Sequence, residues 1–132
     1  AAGTFTLSEQ RAEGPVVLVF FPRTGGLSLD RQLVELQTMY GEFQNAGAEV
    51  VGLVVAPFDQ VDSWCQRSGL AFPVLADSEH TVSEAFGVYN LFGDGTAGPA
   101  VLVVDRAGQV VWHWMGQPGE YVVATEVYDH LP

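Results

Sequence analysis

Cysteine and lysine are the two scarcities of this chain: 132 residues hold one cysteine, Cys65, and no lysine. One thiol cannot form an intramolecular disulfide or supply a zinc site built on several thiolates. It fits a reducing compartment, so a cytoplasmic location is expected. The five basic residues, Arg11, Arg23, Arg31, Arg67 and Arg106, face 16 acidic ones and leave a net charge of −11. They are scattered along the chain, whereas a nucleic-acid binder needs a clustered basic footprint, and an anionic membrane surface is disfavoured for the same reason. Long apolar runs are also missing. The longest, Pro15 to Phe21 and Val50 to Pro57, fall far short of the roughly 20 residues that cross a bilayer. The start, Ala1 to Phe5, has neither the basic nor the apolar region of a signal peptide, so none is expected; with no initiating Met, a trimmed form stays open.

What is present is a core. Apolar residues make up 48% of the chain, which excludes a disordered polypeptide. No repeat, low-complexity tract or linker interrupts it, so residues 1–132 read as one domain. Phe5 to Leu7 predicts a short edge strand, and Ser8 to Arg11 a capped helical turn. Val16 to Phe21 is β-branched and aromatic on both faces, the pattern of a central strand covered on both sides. Pro22 to Ser28 is a Gly-rich loop. A helix is predicted over Leu29 to Ala46, with Leu29, Leu33, Leu36, Tyr40 and Phe43 as its apolar stripe, Ser28 as N-cap and Gly47 as stop.

Glu49 to Ala56 predicts a second buried strand, Asp59 to Ser68 a helix capped by Asp59 and closed by Gly69, and Phe72 to Leu75 a short extended piece. A short helix is expected over Ser78 to Phe86, then a long loop over 88–98. Ala100 to Val104 and Gln109 to Met115 read as a hairpin turning at Asp105 to Gly108, and Glu120 to Leu131 as a terminal helix. The first two strands, joined through a helix, should be parallel with a right-handed crossover. The last two should be antiparallel. The expected fold class is α/β: a mixed sheet with helices on both faces, the thioredoxin-like (redoxin) arrangement.

Four segments in register resemble the peroxiredoxin family of the alkyl hydroperoxide reductase/thiol-specific antioxidant type. They are Val16 to Gln37, Gly69 to Asp77 (GLAFPVLAD), Ala85 to Val88 (AFGV) and Pro99 to Gly108 (PAVLVVDRAG). The resemblance implies an antioxidant oxidoreductase fold whose reactive cysteine lies in the first turn of the helix after strand one. There the helix N-terminus, an Arg and a Thr favour the thiolate. Aligned on Arg31-Gln32-Leu33, the family's cysteine positions fall at Gly26 and Leu29, and its Arg falls near Pro99. The peroxidatic cysteine is therefore missing. Pro22, Thr24, Gly25, Gly26, Ser28 and Pro99 form a vestigial active-site loop.

Two readings of function follow: a non-catalytic binding or scaffold domain, or a thiol-dependent oxidoreductase or peroxidase using Cys65. A third treats the Gly25-Gly26 turn as a helix N-terminus that holds a small anion or a peroxide. Cys65, in Trp64-Cys65-Gln66-Arg67-Ser68, sits mid-helix, so a small buried hydrophobe is its expected role. Asp77, Glu79 and His80 read as dipole partners of a short helix, and no metal or cofactor is expected. Trp112 and Trp114 share one face of a strand with His113 on the other; they read as core packing, with a homodimer surface as the alternative. His130 reads as solvated.

Overall fold

The computed structural model describes residues 14–22, 27–91, 93, 95–117 and 119–132, with 27–30 described by their backbone alone. The strand and capped turn expected before residue 12 lie outside these residues. Among these residues the sheet has five strands: β1 (Val16–Phe21), β2 (Glu49–Val54), β3 (Val74–Ala76), β4 (Ala100–Val104) and β5 (Val110–Met115). Their spatial order is β3-β2-β1-β4-β5. β1 runs parallel to β2, β2 parallel to β3, and β1 antiparallel to β4, which pairs antiparallel with β5. Four helices join them: α1 (Leu27–Asn45), α2 (Phe58–Ser68), α3 (Thr81–Ala85) and α4 (Ala124–Asp129). The α/β mixed sheet with helices on both faces is the fold class expected from the sequence.

Alternation along β1 divides the core in two. Val17, Val19 and Phe21 point to the layer of α1, α2 and α4, where they meet Leu36, Phe43 and Trp64. Val16, Leu18 and Phe20 point the other way, to Val88, Ala97 and Phe86 around α3. All six β1 side chains are buried, and each contributes about 1.5–3 kcal/mol relative to an exposed position. Among the described residues no helix is long and apolar enough to cross a membrane.

Several local expectations are corrected. β3 is a paired strand, shifted from the extended piece expected over Phe72 to Leu75, because Gly52 to Val54 of β2 offers it a ladder. Ser28 is the second residue of α1 and so cannot be its N-cap. Asp59 lies in the first turn of α2, and Pro57 holds the cap position. α3 and α4 are shorter than expected: His80, at φ 51°, keeps α3 from starting before Thr81, and α4 starts at a cap supplied by another helix. Asp77 accepts from the Ser83 amide at 2.8 Å, the Ser83 hydroxyl at 2.7 Å and the Val82 amide at 3.2 Å. Glu35 of α1 accepts from the Ala124 amide at 3.0 Å and the Tyr121 hydroxyl at 3.0 Å. Val123, at the N-cap of α4, makes no side-chain cap, so Glu35 fills that role from another helix.

Tyr40 of α1 donates to Glu49 of β2 at 2.7 Å. Burial, then the Glu49 carboxylate, push its phenol above the ordinary value of 10.0. The neutral phenol is thus favoured in the folded state, and its stabilisation is intact below the unfolded value. As pH rises past about 10 the unfolded chain releases this proton first, so stability falls. Urea titrations from neutral to strongly alkaline pH should show that fall, with Tyr40→Phe flattening it. An unchanged alkaline slope in the variant would exclude Tyr40 as its source.

Candidate functional site

The sheet's direction changes at β1. The chain leaves β1 for β2 on one side, while β4 occupies the other. In open α/β sheets the crevice outside the carboxyl end of such a strand is where ligands bind. The carboxyl ends of β1, β2 and β3 and the amino end of β4 all lie along this edge. α1 begins there at Leu27, and its first amides have no partners within the helix. Its dipole therefore presents a partial positive charge at the end of β1.

Pro99 is brought to the same place. Phe20 pairs with Ala100, so Gly98 and Pro99 run beside the exit from β1. Gly98 has φ 65°, and a Cβ there would stand 2.6 Å from the Phe20 carbonyl oxygen. The Gly98–Pro99 peptide is cis. Pro99 is buried, and its carbonyl accepts from the Gly116 amide at 3.0 Å. Pro22 is half-buried at the end of β1. Of the residues expected to form a vestigial active-site loop, the structure brings Pro22 and Pro99 to one edge. Thr24, Gly25 and Gly26 lie outside the described residues, as does the Ser28 side chain. Gly98 was missed in the sequence; its signal was the Gly-Pro dipeptide opening β4.

Cys65 sits elsewhere. It is half-buried on α2, beside a 400 Å3 hollow whose walls include Asp62, Leu70 and Phe72. Burial is the main cause that raises its thiol pKa above the ordinary value, and the Asp62 carboxylate adds to it. Gln37 fixes the level of this hollow along α1. Its amide donates to the Gly69 carbonyl at 3.2 Å, and its carbonyl accepts from the Ala71 amide. Gln37 lies ten residues beyond Leu27, which is about 15 Å along a helix. The 69–72 segment beside the thiol is therefore just under three helical turns along α1 from its start. Trp64, the neighbour of Cys65 on α2, packs edge-on against Phe21 at the end of β1 with ring centroids 6.0 Å apart, whereas Cys65 itself sits in the middle of α2 and outside the first turn of α1.

The remaining candidates have structural partners. Asp77 caps α3 as described. His80 adopts φ 51°, stacks on Tyr89 with ring centroids 4.1 Å apart, and lies 2.6 Å from Glu84. Among the described residues no group of three or more His, Cys, Asp or Glu is placed to hold a metal ion. Trp112 and Trp114 pack on the helix-covered core, and His113 is exposed. His130 is not simply solvated: it stacks on Trp112 at 4.5 Å, and its Nδ1 lies 2.9 Å from the Glu126 carbonyl.

A model of the AhpC/TSA family matches residues 1–113. The chain is 35% identical over 117 residues to alkyl hydroperoxide reductase E of Mycobacterium tuberculosis, covering 87% of this chain and 76% of that protein. It is 26% identical over 119 residues to peroxiredoxin Bcp of Xanthomonas campestris, covering 86% and 74%. Among solved structures, Enterococcus faecalis AhpC superposes with a TM-score of 0.84 at 21% identity, covering 92% of this chain and 74% of that one. That likeness is one of fold.

Proposed function

Since the chain belongs to the AhpC/TSA family, we propose that it is a redoxin-fold member without the family's thiol chemistry, serving as a binding or scaffold domain. The observation that carries this is the position of the sole cysteine, mid-helix on α2 beside Gly69 to Phe72 and not in the first turn of α1. Peroxide reduction needs a thiolate whose sulfur attacks one peroxide oxygen, releasing the alcohol and leaving a sulfenic acid. A thiol pushed upward by burial is mostly protonated at neutral pH and lacks the helix N-terminus that would lower it. Serine at residue 28 offers no ionised oxygen near neutral pH. The ligand class in keeping with the α1 N-terminus is a small anion. A cytoplasmic setting goes with a single reduced thiol.

The half-exposed Cys65 and its hollow favour one other reading, a thiol-dependent oxidoreductase. Peroxide consumption with an external thiol, measured for the wild type and Cys65→Ser, separates the two. Equal, negligible rates are expected. Iodoacetamide labelling should run slower than for a free cysteine at neutral pH and accelerate in the alkaline range, following the raised pKa. Rapid turnover lost in Cys65→Ser would overturn the non-catalytic proposal.

A further inference from the structure

α1 and α4 enclose an apolar groove of about 350 Å3 that no part of the described chain fills. Val34 on α1 is 65% exposed and Val123, at the start of α4, is 45% exposed. Met39 and Ala124 complete its apolar wall. A second hollow of about 370 Å3 shares Val34 and Thr38 and opens on the other flank of α1, toward Leu70. Val34 and Thr38 therefore form a ridge with a depression on either side. Gly41, one turn on, has open space where a Cβ would be. Glycine mid-helix costs about 0.5–1 kcal/mol relative to alanine, and no internal packing calls for it here.

Charge chooses the occupant. Glu42 lies one turn from Thr38, Glu126 adjoins Thr125, and Asp129 follows one turn later; all three are exposed. Arg31 is the one basic residue of the two helices. Neither helix has a Lys or Arg in its last turn, so their negative dipole ends add to the acidic character of this face. Glu35, at the floor, already accepts from Tyr121 and Ala124. A second copy would bring the same carboxylates face to face, and an anionic membrane would be repelled.

We propose that this groove docks a cationic amphipathic helix of a partner protein. Apolar anchors at i, i+3 or i+4, and i+7 of that helix enter the depressions beside Val34. Its Lys or Arg side chains reach Glu42, Glu126 and Asp129. The proposal rests on reading the chain as a binding domain. Its failure is separable from that reading's: peroxide turnover lost in Cys65→Ser sinks the reading whatever binds the groove, whereas absent docking without turnover sinks only the groove.

Fluorescence anisotropy with a labelled Leu/Lys amphipathic helical peptide tests it, alongside a scrambled peptide of the same composition. Val34→Asp is the decisive variant. It adds negative charge, so attraction by charge alone would tighten binding, whereas loss of an apolar anchor weakens it. The expected result is binding to the wild type with at least about a tenfold increase in Kd for Val34→Asp. Glu42→Lys/Glu126→Lys should also weaken binding and flatten its salt dependence. Val34 is exposed, so thermal unfolding followed by circular dichroism should show the variant folded. Equal or tighter binding by Val34→Asp, or equal binding of the scrambled peptide, would overturn the proposal. So would sedimentation showing a wild-type dimer that Val34→Asp dissociates, which assigns the groove to a second copy.

Discussion

Gly98→Ala should lower the unfolding free energy by about 4 kcal/mol, among the larger costs of a single methyl group. Two effects combine. At φ 65° a Cβ is strained by about 1–2 kcal/mol. It would also stand 2.6 Å from the Phe20 oxygen and 2.7 Å from the Ala100 nitrogen. Both are backbone atoms in the β1–β4 ladder, so neither can swing aside as a flexible side chain would. Relief requires moving the strand, at a further cost of about 1–3 kcal/mol. Gly95→Ala is the control: its φ is 71°, with nothing within 4 Å of a Cβ, so only the conformational cost applies. Urea unfolding should show a large fall in midpoint for Gly98→Ala, a small one for Gly95→Ala, and an unchanged slope for both. Equal falls would mean that the 98–100 segment is not pinned to the end of β1.

Gly52→Ala should cost about 2–3 kcal/mol for a different reason. Its backbone is not in the left-handed region, but a Cβ would lie 2.7 Å from the Phe21 ring and 3.0 Å from a Val74 methyl. Phe21 is fully buried and packs edge-on against Trp64, with centroids 6.0 Å apart. The ring has no free direction in which to retreat. Phe21→Leu alone should cost about 1–2 kcal/mol, because it opens a gap over Gly52. The double variant should cost less than the sum of the two by about 1 kcal/mol or more, since each change accommodates the other. Strict additivity would place the clash at Val74 instead.

Much of this fold was legible in the sequence because its strands are extreme. β1 and β4 have the limits expected of them, Val16–Phe21 and Ala100–Val104. Unbroken apolar runs bounded by proline or aspartate leave few other readings. Gly69 in the left-handed region closes α2, as its position suggested. The helix starts were less legible. Asp77 caps α3 from within the preceding turn, where its place at the helix start could be read, but Glu35 caps α4 from 89 residues away, which no local window contains. β3 is too short to declare itself before β2 offers it a partner. The absence of a thiol at the candidate site could be read directly, and so could the placement of Cys65 within a helix. The grip of Gln37 on Gly69 and Ala71, which ties the end of α2 to α1, is a tertiary fact.

Among the described residues β5 ends the sheet beyond β4, and Val110, Val111 and Met115 on it are exposed. A register shift at Val103/Val104, where β5 carries one extra residue, bends this edge, but the strand carries no Asp, Glu, Lys or Arg of its own. Such a border is adhesive toward its own kind. What holds molecules apart is then the long-range repulsion of a polyanion of net charge −11. Colloidal stability should accordingly be lost in mild acid, where protonation discharges the carboxylates, and in concentrated salt, where screening shortens the reach of the repulsion.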